Sequence, residues 1–393
     1  MALVLAGGGA RGAYEAGALA ELLPALAPEE RPRILVGTSV GALNVAHYAA
    51  NAHRPVADQV GDAVEMWGTF GYGDVLAPLL SLSSALRLGS YLQGVAGLPG
   101  APVRSVLDPG PLADTVGRVV DFERLNANAK DATLDAAAVA TTSASSNLTV
   151  VFHAGGPAVE RDVARGVEYV RTDLSLEHVV ASAAIPVLFP AVHVPDGPGA
   201  GWYFDGGTRL NTPIKPALAL GAGRVIVIAL NSLTRREGGL TSTEPTVFDG
   251  VGQLIGALLV DPLVNDVHTM ARRNELAATA PDAAGKAERV VPYIMICPPD
   301  PDEIARLAME LFRERYGGLL RSVRSGVPWG RDASLAVLGR FLHGGAGVAQ
   351  GEVLSLLYFA NEFLAAVLEL GRRDARAWLR AEHDDGVWQR SRL

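Results

Sequence analysis

The first fifty residues constrain the fold most, because two short apolar runs each end at glycine and each leads into helix-forming sequence. Residues 2 to 6, A-L-V-L-A, run into Gly7-Gly8-Gly9 and read as a buried strand entering a tight loop. Arg11 to Leu26 is rich in Ala, Leu and Glu, with Pro24 and Pro28 bracketing its end, and predicts a helix. Residues 33 to 36, R-I-L-V, give a second buried strand, and Val40 to Ala52 a second helix. Parallel neighbours need a crossover connection, so a βαβα order beginning at residue 1 points to an α/β fold with a parallel sheet covered by helices.

Composition narrows the function classes. A chain of 393 residues with 49% apolar and 19% charged side chains can bury a sizeable core, which excludes a disordered polymer. Its net charge of −8 lacks the basic excess that gripping a nucleic-acid backbone requires, so no nucleic-acid partner is expected. A single cysteine, Cys297, can form neither an internal disulfide nor a thiol cluster for zinc, and suggests a reducing compartment. The N-terminus shows no positively charged segment ahead of its apolar run, so a cytoplasmic location is expected. The uncharged run from Ile34 to Ala52 is long enough to span a bilayer, but Gly37-Thr38-Ser39, Asn44 and His47 fit a buried strand and helix better.

Further along, Phe70 to Leu112 mixes leucine with glycine and proline and reads as an insertion over the sheet, spanning about 70–110. Strands are expected at 137–142, 149–152, 202–204, 224–230 and 293–296, with a helix at 174–184. The pattern after Pro301 is helical, giving a domain at 1–300 and a helical extension at 302–393.

Three motifs carry chemistry. The first is G-T-S-V-G at 37–41, placed where a strand meets a helix, the setting of a nucleophile elbow. Ser39 would be the nucleophile, flanked by Thr38 and Val40; Gly37 and Gly41 allow the sharp turn, and the helix N-terminus favours developing negative charge. The plainer reading makes Ser39 a helix cap. The second is G-G-G-A-R-G: Gly7, Gly8, Gly9, Ala10, Arg11 and Gly12. Backbone N–H groups at such a loop-to-helix junction lack internal partners and suit an oxyanion or a phosphate. Gly7, Gly9 and Gly12 also match the dinucleotide-binding fingerprint, but that fold needs an acid ending the second strand, and here Gly37-Thr38-Ser39 stands there. The loop therefore reads as an oxyanion hole with the Gly8 and Gly9 N–H groups as donors, while Arg11 either orients the loop or lies exposed on the helix. The third motif is Asp205-Gly206-Gly207, where a carboxylate ends the strand W-Y-F; its plainer reading is an Asp-Gly hairpin turn. No histidine is placed to serve Ser39: His47 points into helix packing, and His193 lies in a strand-like stretch as a structural residue.

Taken in this order, the three motifs resemble those of the patatin-like phospholipases, together with A-S-A-A-I-P-V-L-F-P at 181–190 and N-T-P at 211–213. The resemblance covers residue 1 to about 230 and extends towards 300; no known motif covers 302–393. It implies a three-layer α/β/α fold with a mostly parallel central sheet, and hydrolysis of fatty-acyl esters of lipids by a Ser39–Asp205 dyad with no histidine, metal or cofactor. The implied partners are a lipid acyl-ester substrate and a transiently contacted membrane or micelle surface. Two other readings stand beside it: a patatin-shaped effector or binding module whose active site is gated, and a nucleotide-binding α/β protein.

Overall fold

Side chains along β1 (Ala2–Leu5) divide the core in two: Leu3 and Leu5 join one apolar cluster, Ala2 and Val4 another, and all four are buried. That two-sided burial is what a parallel sheet with helices on both faces demands. The computed structural model describes residues 1–76, 110–234, 261–279, 290–316 and 348–391. Its other strands are β2 (Ile34–Thr38), β3 (Ala136–Ser143), β4 (Thr149–Gly155), β5 (Val167–Arg171), β6 (Val192–Val194), β7 (Gly201–Asp205), β8 (Val225–Ile228) and β9 (Tyr293–Ile296). They form one sheet in the order β5-β4-β3-β2-β1-β8-β9, with β7 attached to β3 and β6 to β7. The centre is parallel; β3–β4, β3–β7 and β6–β7 are antiparallel. The chain thus has the expected mostly parallel α/β sheet with helices flanking it.

The described helices are α1 (Gly12–Ala25), α2 (Val40–Asn51), α3 (Val56–Thr69), α4 (Tyr72–Val75), α5 (Gly110–Val119), α6 (Phe122–Lys130), α7 (Leu176–Ser182), α8 (Ile214–Ala219), α9 (Asp261–Thr279), α10 (Glu303–Tyr316), α11 (Val348–Leu357) and α12 (Asn361–Arg380). Residues of α8 and α9 supply the smaller cluster, while α1, α2, α3 and the C-terminal helices supply the larger. The uncharged run 34–52 is β2 followed by α2, both buried. Among the described residues no single helix is long and apolar enough to cross a membrane. Residues 77–109, most of the expected insertion, lie outside the described residues.

The C-terminal helices share the N-terminal core. Phe363, Leu364, Val367 and Leu368 of α12 pack into the larger cluster, and Gln389 pairs with Tyr293 of β9. Helix α12 crosses α1 at two glycines: a Cβ on Gly17 would strike the Leu368 carbonyl, and one on Gly371 the Tyr14 carbonyl. The Tyr14 hydroxyl then donates to Asp374 at 2.7 Å, and Arg376 reaches Glu21 at 2.8 Å. Gly371→Ala is expected to cost about 1–3 kcal/mol through overpacking, outweighing the roughly 1 kcal/mol that alanine gains in a helix. Gly61→Ala, on a face of α3 with nothing near the added methyl, should be neutral or stabilising. Thermal unfolding checks both, and a Gly371→Ala protein as stable as its parent would contradict the close crossing.

Candidate active site

One edge of β3 positions the site. Strand β2 pairs with it in parallel up to Thr38 opposite Ala140, and β4 occupies the other edge as far as Thr142. Antiparallel β7 therefore takes the edge that β2 vacates, with Asp205 opposite Thr141. The ends of β2 and β7 meet head-on, one register step apart, and the residue after Thr38 is Ser39.

Ser39 has φ 55° and ψ −123°, a conformation that a side-chain-bearing residue adopts only under constraint and the kind of strain found at functional sites. Its N–H donates to Ser182 Oγ at 2.8 Å, and Ser182 Oγ donates to the Ala140 carbonyl at 2.6 Å. Ser39 stands at the N-cap position of α2, but its hydroxyl makes no capping bond; it donates to Asp205 Oδ2 at 2.7 Å. Gly37 and Gly41 serve the turn as expected, since a Cβ on Gly37 would enter the Gly41 backbone and one on Gly41 would meet the Leu5 carbonyl.

Asp205 ends β7 and caps a short turn at Gly206–Thr208, so it is not in a hairpin loop. Its Oδ1 accepts the Gly207 N–H at 2.6 Å, and its carbonyl accepts the hydroxyls of Thr142 at 3.1 Å and Thr208 at 2.9 Å. Burial raises the carboxyl pKa to about 6, against the lowering effect of the bonds from Ser39 and Gly207. Among the described residues no histidine bonds to Ser39 or Asp205. His47 lies against the Val119 carbonyl at 3.2 Å, as expected from helix packing, and His193 lies in strand β6, as its strand-like stretch suggested, with its side chain exposed beside Trp202.

The glycine loop lies against Ser39, so that a Cβ on Gly7 would come within 3.0 Å of the serine Cβ. Its N–H groups divide into two kinds. Gly7 donates to the Asn211 carbonyl at 3.2 Å, Arg11 to the Gly8 carbonyl at 3.2 Å, and Gly12 to the Gly9 carbonyl. The N–H groups of Gly8, Gly9 and Ala10 have no hydrogen-bond partner among the described residues. Asn211 Nδ2 returns a bond to the Gly7 carbonyl at 3.3 Å, and Thr38 Oγ1 donates to the Leu210 carbonyl at 3.0 Å, so the segment after Asp205 holds both other motifs. The Arg11 side chain is buried: it pairs with Glu352, donates from Nη1 to Asn231 at 2.9 Å, and reaches Ser355 Oγ at 2.9 Å from Nε. Of the two expectations for Arg11, the exposed one is overturned, since the side chain is buried.

Ser39 and Gly9 border a cavity of about 50 Å³ whose other walls are apolar, among them Leu43, Trp67, Phe70, Val75, Val116 and Phe189. Trp67 is fixed by Nε1 donation to Asn44 at 2.9 Å, and Asn44 donates to Glu15 at 2.7 Å. Glu15 is fully buried, and desolvation holds its carboxyl well above the usual range. Both described ends of the expected insertion reach this cavity, through Phe70 and Val75 on one side and Leu112 and Val116 on the other. Sequence reasoning quoted Ser182 and Asn211 within motifs but gave them no role, and it missed Leu356, Leu357 and Phe359, which also line the cavity.

A family model described as patatin-like phospholipase matches residues 3–218, more than half of the chain, and takes in all three motifs. The chain belongs to the patatin-like phospholipase family. That family is one of lipid acyl hydrolases, and the matched region ends before α9 and the C-terminal helices. No curated protein matches the chain. Among solved structures, the crystal structure of VipD from Legionella pneumophila is similar at 13% identity and a TM-score of 0.32, over 93% of this chain. The alignment takes in 66% of that chain, so this one spans just under two thirds of its length. Within this patatin-like site, Ser182→Ala would leave the Ser39 N–H buried without an acceptor, a loss of about 1–3 kcal/mol. Denaturant unfolding measures it, and an unchanged unfolding free energy would mean that this N–H is satisfied another way.

Proposed function

We propose that the chain hydrolyses acyl-ester lipids, with Ser39 as nucleophile, Asp205 as its base, and the Gly8 and Gly9 N–H groups as oxyanion donors. One observation carries the reading: the 2.7 Å bond to a buried carboxylate from Ser39 Oγ, on a residue that borders an apolar cavity. Aspartate is a weak base in water, but burial brings Asp205 to about 6, nearer the pH at which proton transfer is efficient.

The steps balance as follows. Ser39 Oγ attacks the acyl carbonyl as its proton passes to Asp205 Oδ2, and the carbonyl oxygen becomes an oxyanion facing the Gly8 and Gly9 N–H groups. Protonated Asp205 gives its proton to the departing alcohol oxygen as the ester C–O bond breaks, leaving acyl-Ser39. Water then attacks the acyl-enzyme, Asp205 takes its proton, and the fatty acid leaves as Ser39 recovers its own. Oxyanion donors of this kind contribute about 2.7–4 kcal/mol each, which offsets the modest strength of the base. The apolar cavity walls suit an acyl chain, taken from a lipid surface met transiently by a cytoplasmic protein.

Ser39→Ala is expected to lower kcat on p-nitrophenyl butyrate by about 10⁴-fold or more, and Asp205→Asn by about 10²–10⁴-fold, with melting temperatures retained. Near-parental turnover in either variant would remove the corresponding assignment. The base must be ionised and its pKa is raised, so kcat/KM of the parent should rise with pH through about 6 and level off above it. A profile flat from pH 5 to 8 would contradict Asp205 as the base.

A further inference from the structure

The segment Glu352–Phe359 follows a long stretch of chain beyond the family match, yet it touches the glycine loop and the cavity at once. Arg11 is the link. Its guanidinium pairs with the Glu352 carboxylate, donates to Ser355 Oγ at 2.9 Å from Nε and 2.6 Å from Nη2, and reaches the Glu352 carbonyl at 3.3 Å. Ser355 completes the arrangement by donating to the Glu352 carbonyl at 2.8 Å. Arg11, Glu352 and Ser355 are all buried, so water screens the pair little.

Arg11 lies two residues after Gly9, and its own N–H closes the loop onto the Gly8 carbonyl. Whatever fixes Arg11 therefore fixes the direction of the unpartnered Gly8 and Gly9 N–H groups. Gly9, at φ +58°, leaves no room for a side chain because the Leu356 carbonyl sits where its Cβ would be. The apolar side of the same segment, Leu356, Leu357 and Phe359, then forms one wall of the cavity beside Ser39.

We propose that Glu352–Phe359 is a working part of the active site, with Glu352 and Ser355 as positioning residues for the glycine loop and Leu356, Leu357 and Phe359 as the wall that sets acyl-chain length. The proposal rests on the hydrolase reading above. It assigns the chain after residue 347 a direct role in the reaction.

The test measures kcat and KM of the full chain on p-nitrophenyl esters from butyrate to dodecanoate, with melting temperatures, for Glu352→Gln, Phe359→Ala and Leu357→Phe. Glu352→Gln keeps a hydrogen-bonding side chain but removes the charge. It should lower kcat about tenfold at every chain length with KM nearly unchanged, as expected when a catalytic group is displaced slightly. Phe359→Ala should shift the dodecanoate-to-butyrate ratio of kcat/KM upward about fivefold or more, and Leu357→Phe should shift it downward by a similar factor. Leu356→Ala, at a half-buried position, replaces Phe359→Ala if that variant fails to fold.

An active, Ser39-dependent parent whose three variants keep its kcat and its chain-length profile would overturn the proposal while leaving the hydrolase reading intact. Equal activation of Phe359→Ala on all esters would also overturn it, showing a plug in place of a selective wall. A parent inactive on every ester would overturn the hydrolase reading and this proposal with it.

Discussion

The site depends on a competition for one edge of one strand. Strand β2 leaves the edge of β3 at Thr38, and β7 approaches along the same edge from the opposite direction, ending at Asp205. Backbone ladders fix both ends, so a hydroxyl and a carboxylate 166 positions apart in sequence lie 2.7 Å apart. The turn at Ser39 and the cap at Asp205 are then local consequences: the chain must reverse into α2 after the first and into a short turn after the second.

Electrostatics follow from that placement. A carboxylate buried beside a single hydroxyl and one backbone N–H is under-solvated, which raises its proton affinity without neutralising it by a countercharge. The buried cation nearby in the chain, Arg11, is instead committed to Glu352, Ser355 and Asn231. In the proposed reading the arrangement separates two tasks: a carboxylate without an ion-pair partner among the described residues, which would exchange protons, and a paired guanidinium, which would hold the backbone in place. Around both, Ser182, Asn211 and Thr142 satisfy the Ser39 N–H, the Gly7 carbonyl and the Asp205 carbonyl.

Much of this was legible where sequence and local structure coincide. The βαβα start declares itself over the first fifty residues, and the glycine-flanked Ser39 and the strand ending at Asp205 each within ten, because apolar runs closed by glycine have few alternatives. The Ser39–Asp205 proximity was not readable from spacing; it came from the family resemblance, since nothing in the residues shows that β7 pairs with β3 ahead of β2. Short polar elements escaped: α6 carries few apolar residues, and β5 is five residues long with charged side chains at two of them. Ser182 was hidden because a serine in a small-residue helix usually signals nothing. The contact of Glu352 with Arg11 was hidden for a different reason, as it joins positions 341 apart through tertiary packing that no local pattern encodes.

The central claim is that Ser39 is the nucleophile activated by Asp205. Its most direct test is peptide mass mapping of the intact protein after brief exposure to a fluorophosphonate, which reports which hydroxyl attacks an electrophile. The account predicts a single covalent adduct on Ser39, formed more slowly as pH falls below 6. An adduct on any other residue, or a Ser39 that stays unmodified while the protein hydrolyses esters, would contradict it.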